Sequence, residues 1–289
     1  MNYLLHLFIM ISIYSILAMS INIITGYAGL LSLAHAAFYG IGAYTTTLMM
    51  IKLGINFFPA LICGIIVTGL LSLAIGYPSL KLKGDYFVLT TIGFQIIVFS
   101  ILYNWISLTR GPYGIPGIPR PSLLGHEVSS LPEYFVFSLI IALVVFIFVR
   151  LLANSPFSRA LRAMRDDELA ASAMGKDVFR LKICSIMVGS SLAAIAGALY
   201  ATYVTYIDPT SFTLDESIFI LTLLLVGGSG NLRGPIVGAI FMVLLPEALR
   251  FIGLPDTIAP NVRQIIYGLL LIILMRYRPQ GLAGEYRFE

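Results

Sequence analysis

The sequence predicts an all-α polytopic membrane protein of about 8-10 transmembrane segments, broken or re-entrant helices among them. Three observations carry that expectation. Of the 289 residues, 58% are hydrophobic and only 11% charged; a typical soluble domain carries about 25% charged residues and could not cover itself with so little polar surface. The apolar runs are continuous and near the roughly 20 residues a helix needs to cross a bilayer. That excludes the alternating pattern of a β-barrel and makes helices, which satisfy their own backbone, the default. The Lys and Arg residues gather in a few loops, as cytoplasmic loops require, so the net charge of +4 is a topology signal and not a nucleic-acid one. The chain reads as a single transmembrane domain with an N-terminal half (1-153), a charged loop (154-182) and a C-terminal half (183-289).

The first span is expected over Leu4 to Ile24; it lacks a basic leader region and a cleavage site, so it reads as a retained helix. The stretch TGYAGLLSLAHAAFYGIGAYTTTLMM follows. Its glycines predict a break near 26–32 and then a helix to about Met50. Phe57 to Tyr77 is the next span, stopped by Pro78, and Lys81 and Lys83 mark a cytoplasmic loop. Tyr86 to Leu108 returns. The segment from Thr109 to Glu133 holds five prolines, which forbid a regular helix, and it reads as an outer loop. Tyr134 to Leu152 crosses back. Ile183 to Tyr206 is a span of small residues suited to close helix packing, and Ile207 to Glu216 is an acidic outer loop. Ser217 to Val226 offers ten apolar residues, too few to span, before GGSGNLRGP. Ile236 to Ile252 is expected to be interrupted at Pro246 and Glu247. A loop with Pro255, Asp256 and Pro260 leads to a last span, Gln264 to Met275, and an Arg-rich C-terminus on the inside. Which side holds the N-terminus depends on whether 26–32 re-enters. Cys63 and Cys184 each lie in an apolar run and read as small packed hydrophobes.

The loop from Asn154 to Lys182, with Arg150 before it, holds seven of the chain's 18 Lys and Arg residues and its only run of three acids. Ser155-Pro156 signals a helix start. Phe157, Ala160, Leu161 and Met164 then share one face, and Arg159, Arg162 and Arg165 lie mostly around the other. Asp166 or Asp167 can cap a second short helix, with Glu168 in its first turn. Ala170, Ala171 and Ala173 carry it to Gly175, a C-terminal terminator. A purely topogenic loop needs none of the acids, the alanine face or the glycine.

Glu168-Leu-Ala170-Ala171-Ser-Ala-Met-Gly175 resembles the Glu-Ala-Ala…Gly loop of ABC-importer permeases, with Leu169 inserted between the Glu and the alanines. Over a wider range, TGYAGLLSLAHAAFYGIGAY, LKLKGDYFVLTTIGFQ, TRGPYGIPGIP, SRALRAMRDDELAASAMG, LLVGGSGNLRGPIVGA and RPQGLAGE resemble, in order, the M-type permeases of branched-chain amino-acid importers. The resemblance implies an ABC-importer permease fold with a cytoplasmic coupling helix, in a bacterial or archaeal cytoplasmic (inner) membrane. It also implies a second homologous permease, two ATP-binding cassette ATPases and an extracytoplasmic substrate-binding protein. ATP and Mg would be bound by the ATPases. This chain has no GxxxxGK[ST] loop and is expected to carry no cofactor, no metal and no catalytic residue of its own.

On that expectation Arg162, Arg165, Asp166, Asp167, Glu168, Ala171 and Gly175 form the ATPase-coupling interface. Ser32, His35, Tyr39, Thr90 and Gln95 are candidates for the translocation path. His35 has no acid at i±3 or i±4, so a hydrogen-bonded packing role is weighed above a proton relay. The Gly-broken passages at Gly26 and Gly227 either line the path or permit close packing. Selectivity is expected to rest with the binding protein, without a high-affinity site in this chain. Alternatives are a permease for another amino acid, urea or an amide, and an ion-coupled secondary transporter; the only acid well inside an apolar run, Glu247, has Arg250 three residues on.

Overall fold

The computed structural model describes residues 2–79, 84–123 and 126–250, and beyond them 262, 265, 266, 268, 269, 272, 273, 276 and 280–283. Lys81 and Lys83, the loop with Pro255, Asp256 and Pro260, most of the last span and most of the Arg-rich terminus lie outside the described residues, as does the Glu247–Arg250 pairing.

Eleven helices are described. Helix α1 (Asn2–Ile21) continues as a π-helical turn (Asn22–Tyr27). Then come α2 (His35–Leu53), α3 (Phe57–Ser79), α4 (Asp85–Asn104), a one-turn α5 (Ile106–Thr109) and α6 (Leu131–Ala153). The charged loop supplies α7 (Pro156–Asp166) and α8 (Glu168–Ala173). The chain continues through α9 (Val178–Val204), α10 (Leu214–Gly227) and α11 (Arg233–Arg250). Five helical stretches among the described residues are long and apolar enough to cross a membrane: α1 with its π turn, α3, α4, α6 and α9.

Helix α2 begins inside the protein, where an orphan backbone N–H costs several kcal/mol in the absence of water. The N–H groups at and just before its start are met by side chains, the local Ser32 and three from other elements. Thr91 Oγ1 accepts from Leu33 N at 3.1 Å, Ser32 Oγ from Ala34 N at 3.3 Å, Ser217 Oγ from Ala36 N at 2.9 Å and Gln95 Oε1 from Ala37 N at 2.7 Å. The non-helical stretch 28–34 is thus tolerated where protein covers it. Above this start, α2 runs between α3 and α9. A Cβ at Gly42 would fall 2.3 Å from Ala194 Cα, and one at Gly197 2.2 Å from the Tyr39 carbonyl oxygen, so glycine is what lets α2 and α9 touch backbone to backbone.

Two ends of the bundle are distinct. At the outer end, β1 (Ile115–Pro116) pairs antiparallel with β4 (Tyr206–Ile207), tying the Pro-rich loop to the loop after α9. A further two-residue pair, β2 (Ser122–Leu123) with β3 (His126–Glu127), lies within the Pro-rich loop. The inner end carries α7 and α8 with their basic residues. His6 Nδ1 and Tyr203 Oη meet at 2.6 Å near the outer end, whereas Gly26 meets Arg165 of α7. Helix α1 therefore runs from the end that carries β1 and β4 to the end that carries α7 and α8.

Several boundaries differ from expectation. Pro78 sits in the last turn of α3 instead of stopping it, and Pro246 lies within a continuous α11. Helix α4 ends at Asn104, and Thr109 Oγ1 donates to the Leu102 and Trp105 carbonyls, closing the separate turn α5. Helix α9 begins at Val178, five residues before the expected Ile183, because Asp177 Oδ1 accepts from Arg180 N at 3.0 Å and caps it. Cys184 is exposed on α9, against the expectation of a packed thiol. Glu216 belongs to the first turn of α10 and not to the outer loop.

Helix α6 starts with a full capping box: Ser130 Oγ accepts from Glu133 N, and Glu133 Oε2 accepts from Ser130 N. Ser130→Ala is expected to cost roughly 1 kcal/mol, lowering the thermal midpoint of the detergent-solubilised protein by about 2–4 °C. An unchanged melting curve would show that this cap is dispensable.

Candidate functional site at the inner end

Helix α7 forms where its sequence signals place it. Ser155 Oγ accepts from Ser158 N at 3.3 Å with Pro156 at the first helical position. Ser158, Leu161 and Met164 are buried against the bundle. Asp167 Oδ1 then caps α8, accepting from Leu169 N at 2.9 Å and Ala170 N at 3.0 Å. Ala171 is fully buried beneath that helix. Gly175 adopts φ +77°, a left-handed conformation that glycine takes without strain. The turn it makes lets Lys176 N reach the Ala171 carbonyl at 3.1 Å.

Two of the three arginines of α7, Arg162 and Arg165, turn toward the π turn that continues α1. Arg165 Nη1 donates to the Gly26 carbonyl at 2.7 Å, and its Nη2 pairs with Asp166 at 3.0 Å. Gly26 lies at the end of the π turn, where carbonyls lack partners within the helix and the helix dipole favours a cation. Arg162 Nη2 donates to the Ala153 carbonyl at 2.8 Å, and its guanidinium stands 5.2 Å from the Tyr27 ring centre, within cation–π range. Asp166, Asp167 and Glu168 remain at the surface. Glu168 nevertheless pairs with Lys182 at 2.8 Å, linking α8 to the start of α9. Lys182 was not among the residues expected from sequence; fourteen positions separate it from Glu168, and no helical spacing relates them.

The π turn also contacts the second Gly-broken passage. Asn22 Oδ1 accepts from Gly230 N at 3.1 Å, and its Nδ2 donates to the Asn231 carbonyl at 2.7 Å. Asn231 in turn accepts from Gly234 N at 2.7 Å and donates to the Ala283 carbonyl. Leu282 N and Ala283 N bond the Val226 and Gly227 carbonyls, each at 2.9 Å. The two interrupted regions, matched in sequence only by their glycines, therefore meet each other at the inner end, with Arg165 on one side and residues 282–283 on the other.

The path candidates divide. Ser32, Gln95 and the backbone around His35 belong to the start of α2. Gln95 holds three elements at once, since its Oε1 also accepts from Ser217 Oγ at 3.2 Å and its Nε2 donates to the Phe212 carbonyl at 2.8 Å. His35 Nε2 meets Ser20 Oγ at 2.6 Å, and the ring stands edge-on to Phe38. Ser20 already donates to the Leu17 carbonyl, so His35 Nε2 is the donor in this pair. Tyr39 packs against Phe212 and Tyr200, with ring centres 5.0 and 5.6 Å away. Thr90 stands apart, donating to its own helix at Tyr86; its neighbour Thr91 is the residue that turns inward. Thr91 and Ser217 were missed because a hydroxyl in an apolar run carries no sign of the distant N–H it will accept.

Comparison with known proteins supplies the context for this geometry. The family described as branched-chain amino acid transport system / permease component matches residues 3–275. The chain is 33% identical over 302 residues to the high-affinity branched-chain amino acid transport system permease protein LivM of Salmonella typhimurium, covering 96% of this chain and 69% of the relative. It is 30% identical to the probable LivM protein of Methanocaldococcus jannaschii, covering 94% and 91% of the two. Identity to the LivH permease of Escherichia coli is 25%, over 96% of this chain and 93% of the relative. No solved structure matches.

Proposed function

The chain belongs to the permease family of branched-chain amino-acid transport systems, and from that premise we propose that it is the M-type transmembrane subunit of an ATP-driven importer of branched-chain amino acids. It is a multi-pass inner-membrane transport permease; its spans and its relatives agree on that. In the proposal a second, homologous permease completes the path and two ATPases dock beneath α7 and α8. A substrate-binding protein delivers the amino acid at the end closed by β1 and β4.

The observation that carries the reading is the two-sidedness of the α7–α8 element. Its inner side holds Ala171, Leu161 and Arg165, all packed or bonded to the bundle. Its outer side presents Leu169, 78% exposed, and Met174, 66% exposed. Exposed apolar side chains beside the acids of α8 suit a protein partner with an apolar pocket and a basic rim. Closure of the ATPases moves α7 and α8, and Arg165 transmits that movement to the π turn at Gly26.

Co-purification with a tagged chain tests the class: two ATPases and a second permease are expected, with leucine uptake that dies on ATP depletion and survives an uncoupler. The reverse pattern would favour an ion-coupled transporter. Docking is tested separately with Leu169→Asp. Because Leu169 faces solvent, folding is expected to survive, while recovery of the ATPases falls by about tenfold or more, the scale of an apolar contact at the centre of an interface. Full recovery would remove α8 from the docking surface.

A further inference from the structure

Between α1, α2, α9 and the first turns of α10 lies a cavity of about 520 Å³, within the range of small-molecule sites. Glu216 lines it, and its Oε1 accepts from Tyr14 Oη at 2.9 Å. Among the described residues no basic side chain pairs with this carboxylate. Tyr39 and Tyr200 stand on the opposite helices, and Phe219 lies edge-on to Tyr14 with ring centres 5.3 Å apart. Ile218 adds an aliphatic wall.

A half-buried carboxylate with no basic partner among the described residues favours a cation from outside the chain. The walls decide which kind. Asp215, Thr210, Ser211, Thr213 and Thr222 also line the cavity, but among the described residues no group of three or more acids, histidines or cysteines gathers to anchor the six to eight oxygen ligands that calcium takes. Aromatic faces attract an ammonium group, and the acid gives it a hydrogen-bonded counter-charge. Ile218 and Phe219 accommodate a short apolar chain on the other side. We propose that this cavity is a low-affinity site for a primary ammonium on a branched aliphatic chain, with Glu216 as its counter-ion and the tyrosines as its walls. The assignment rests on the import reading for its physiological ligand, the α-ammonium end of the amino acid on its way through. Low affinity suits that role, because a path must release what it admits.

The test uses the full chain in lipid nanodiscs and two probes that each keep one end of leucine. Isoamylamine retains the ammonium and 4-methylpentanoate retains the carboxylate. By saturation-transfer NMR, isoamylamine is expected to bind in the millimolar range and 4-methylpentanoate not to bind. Glu216→Gln keeps an acceptor for Tyr14, so the fold is preserved, and it is expected to weaken isoamylamine by at least about tenfold. Equal binding of the two probes, or unchanged binding in Glu216→Gln, overturns the site. Leucine uptake by cells carrying the complete importer separates the two claims. If the wild type imports leucine and Glu216→Gln imports as much, the site falls and the import reading stands. If the wild type imports no leucine while the purified chain still binds isoamylamine through Glu216, the import reading falls and the ammonium site stands.

Discussion

Arg165→Leu is expected to leave ATP hydrolysis by the assembled importer largely intact while leucine uptake falls by about 5- to 150-fold, the range spanned by a coupling energy of 1–3 kcal/mol. Arg165 bonds the Gly26 carbonyl at 2.7 Å from a side chain that is 9% exposed. A hydrogen bond from a charged donor in such a position contributes about 1.5–3 kcal/mol, and leucine leaves the carbonyl at the end of the π turn without it. The substitution frees the exposed Asp166 carboxylate but leaves Leu169 and Met174 at the surface, so docking is expected to persist. What is lost is the contact through which, in the proposed coupling, movement of α7 reaches α1. The measurement is the number of ATP molecules hydrolysed per leucine imported in proteoliposomes, a ratio that simple loss of folded protein would not alter. Arg165→Lys keeps a cation but not the planar fork that reaches Gly26 and Asp166 together, and partial recovery is expected. Wild-type stoichiometry in Arg165→Leu would show that force enters the bundle elsewhere, with the Glu168–Lys182 pair as the next link to break.

Gly42→Leu is expected to have the largest effect on the fold. Its Cβ would lie 2.3 Å from Ala194 Cα and 2.5 Å from Ala194 Cβ, and backbone cannot yield as a flexible side chain can. Overpacking a core costs about 1–3 kcal/mol when neighbours can shift, and here α2 and α9 must separate along the seam at the centre of the bundle. The expected outcome is loss of the monodisperse peak on size-exclusion chromatography after mild detergent extraction. Gly93→Leu is the control: a Cβ there meets nothing within 4 Å, and the elution profile is expected to match the wild type. Normal behaviour of Gly42→Leu would mean that the α2–α9 seam is looser than its geometry indicates.

Much of the site was legible from residues alone, and the reason is range. A cap acts within four residues, so Ser155, Asp167 and Gly175 announce the ends of α7 and α8 without help from the rest of the chain. The apolar period of Phe157, Leu161 and Met164 likewise identifies the face that packs. The break after Gly26 was visible because a run of small residues weakens a straight span. The Asp177 cap was equally local, yet it was hidden by its charged neighbours, which read as loop. The continuity of α11 through Pro246 was hidden for the opposite reason, since a proline is read as an interruption unless the packing that tolerates it is known.

The contacts that join the loop to the bundle were not legible. Arg165 looked like one of three similar arginines on a polar face; its partner is a backbone carbonyl 139 residues away. Asn22 reaches Gly230 across 208 residues, and Gly42 meets Ala194 through the crossing of two helices. Glu216 read as one acid in an outer loop until α10 placed it opposite Tyr14. By itself the sequence determined the class of the protein, the approximate order of its spans, the capped helices of the charged loop and the family whose blocks it shares. These follow from hydropathy, helix ends and local motif, all of which act over short separations. Only the tertiary structure decided what the loop holds, because a hydrogen bond between distant segments depends on which helices cross and at what depth, and no period along the chain encodes a crossing. The charged loop is therefore joined to the first helix at Gly26, by an arginine that the sequence could place on α7 but could not aim.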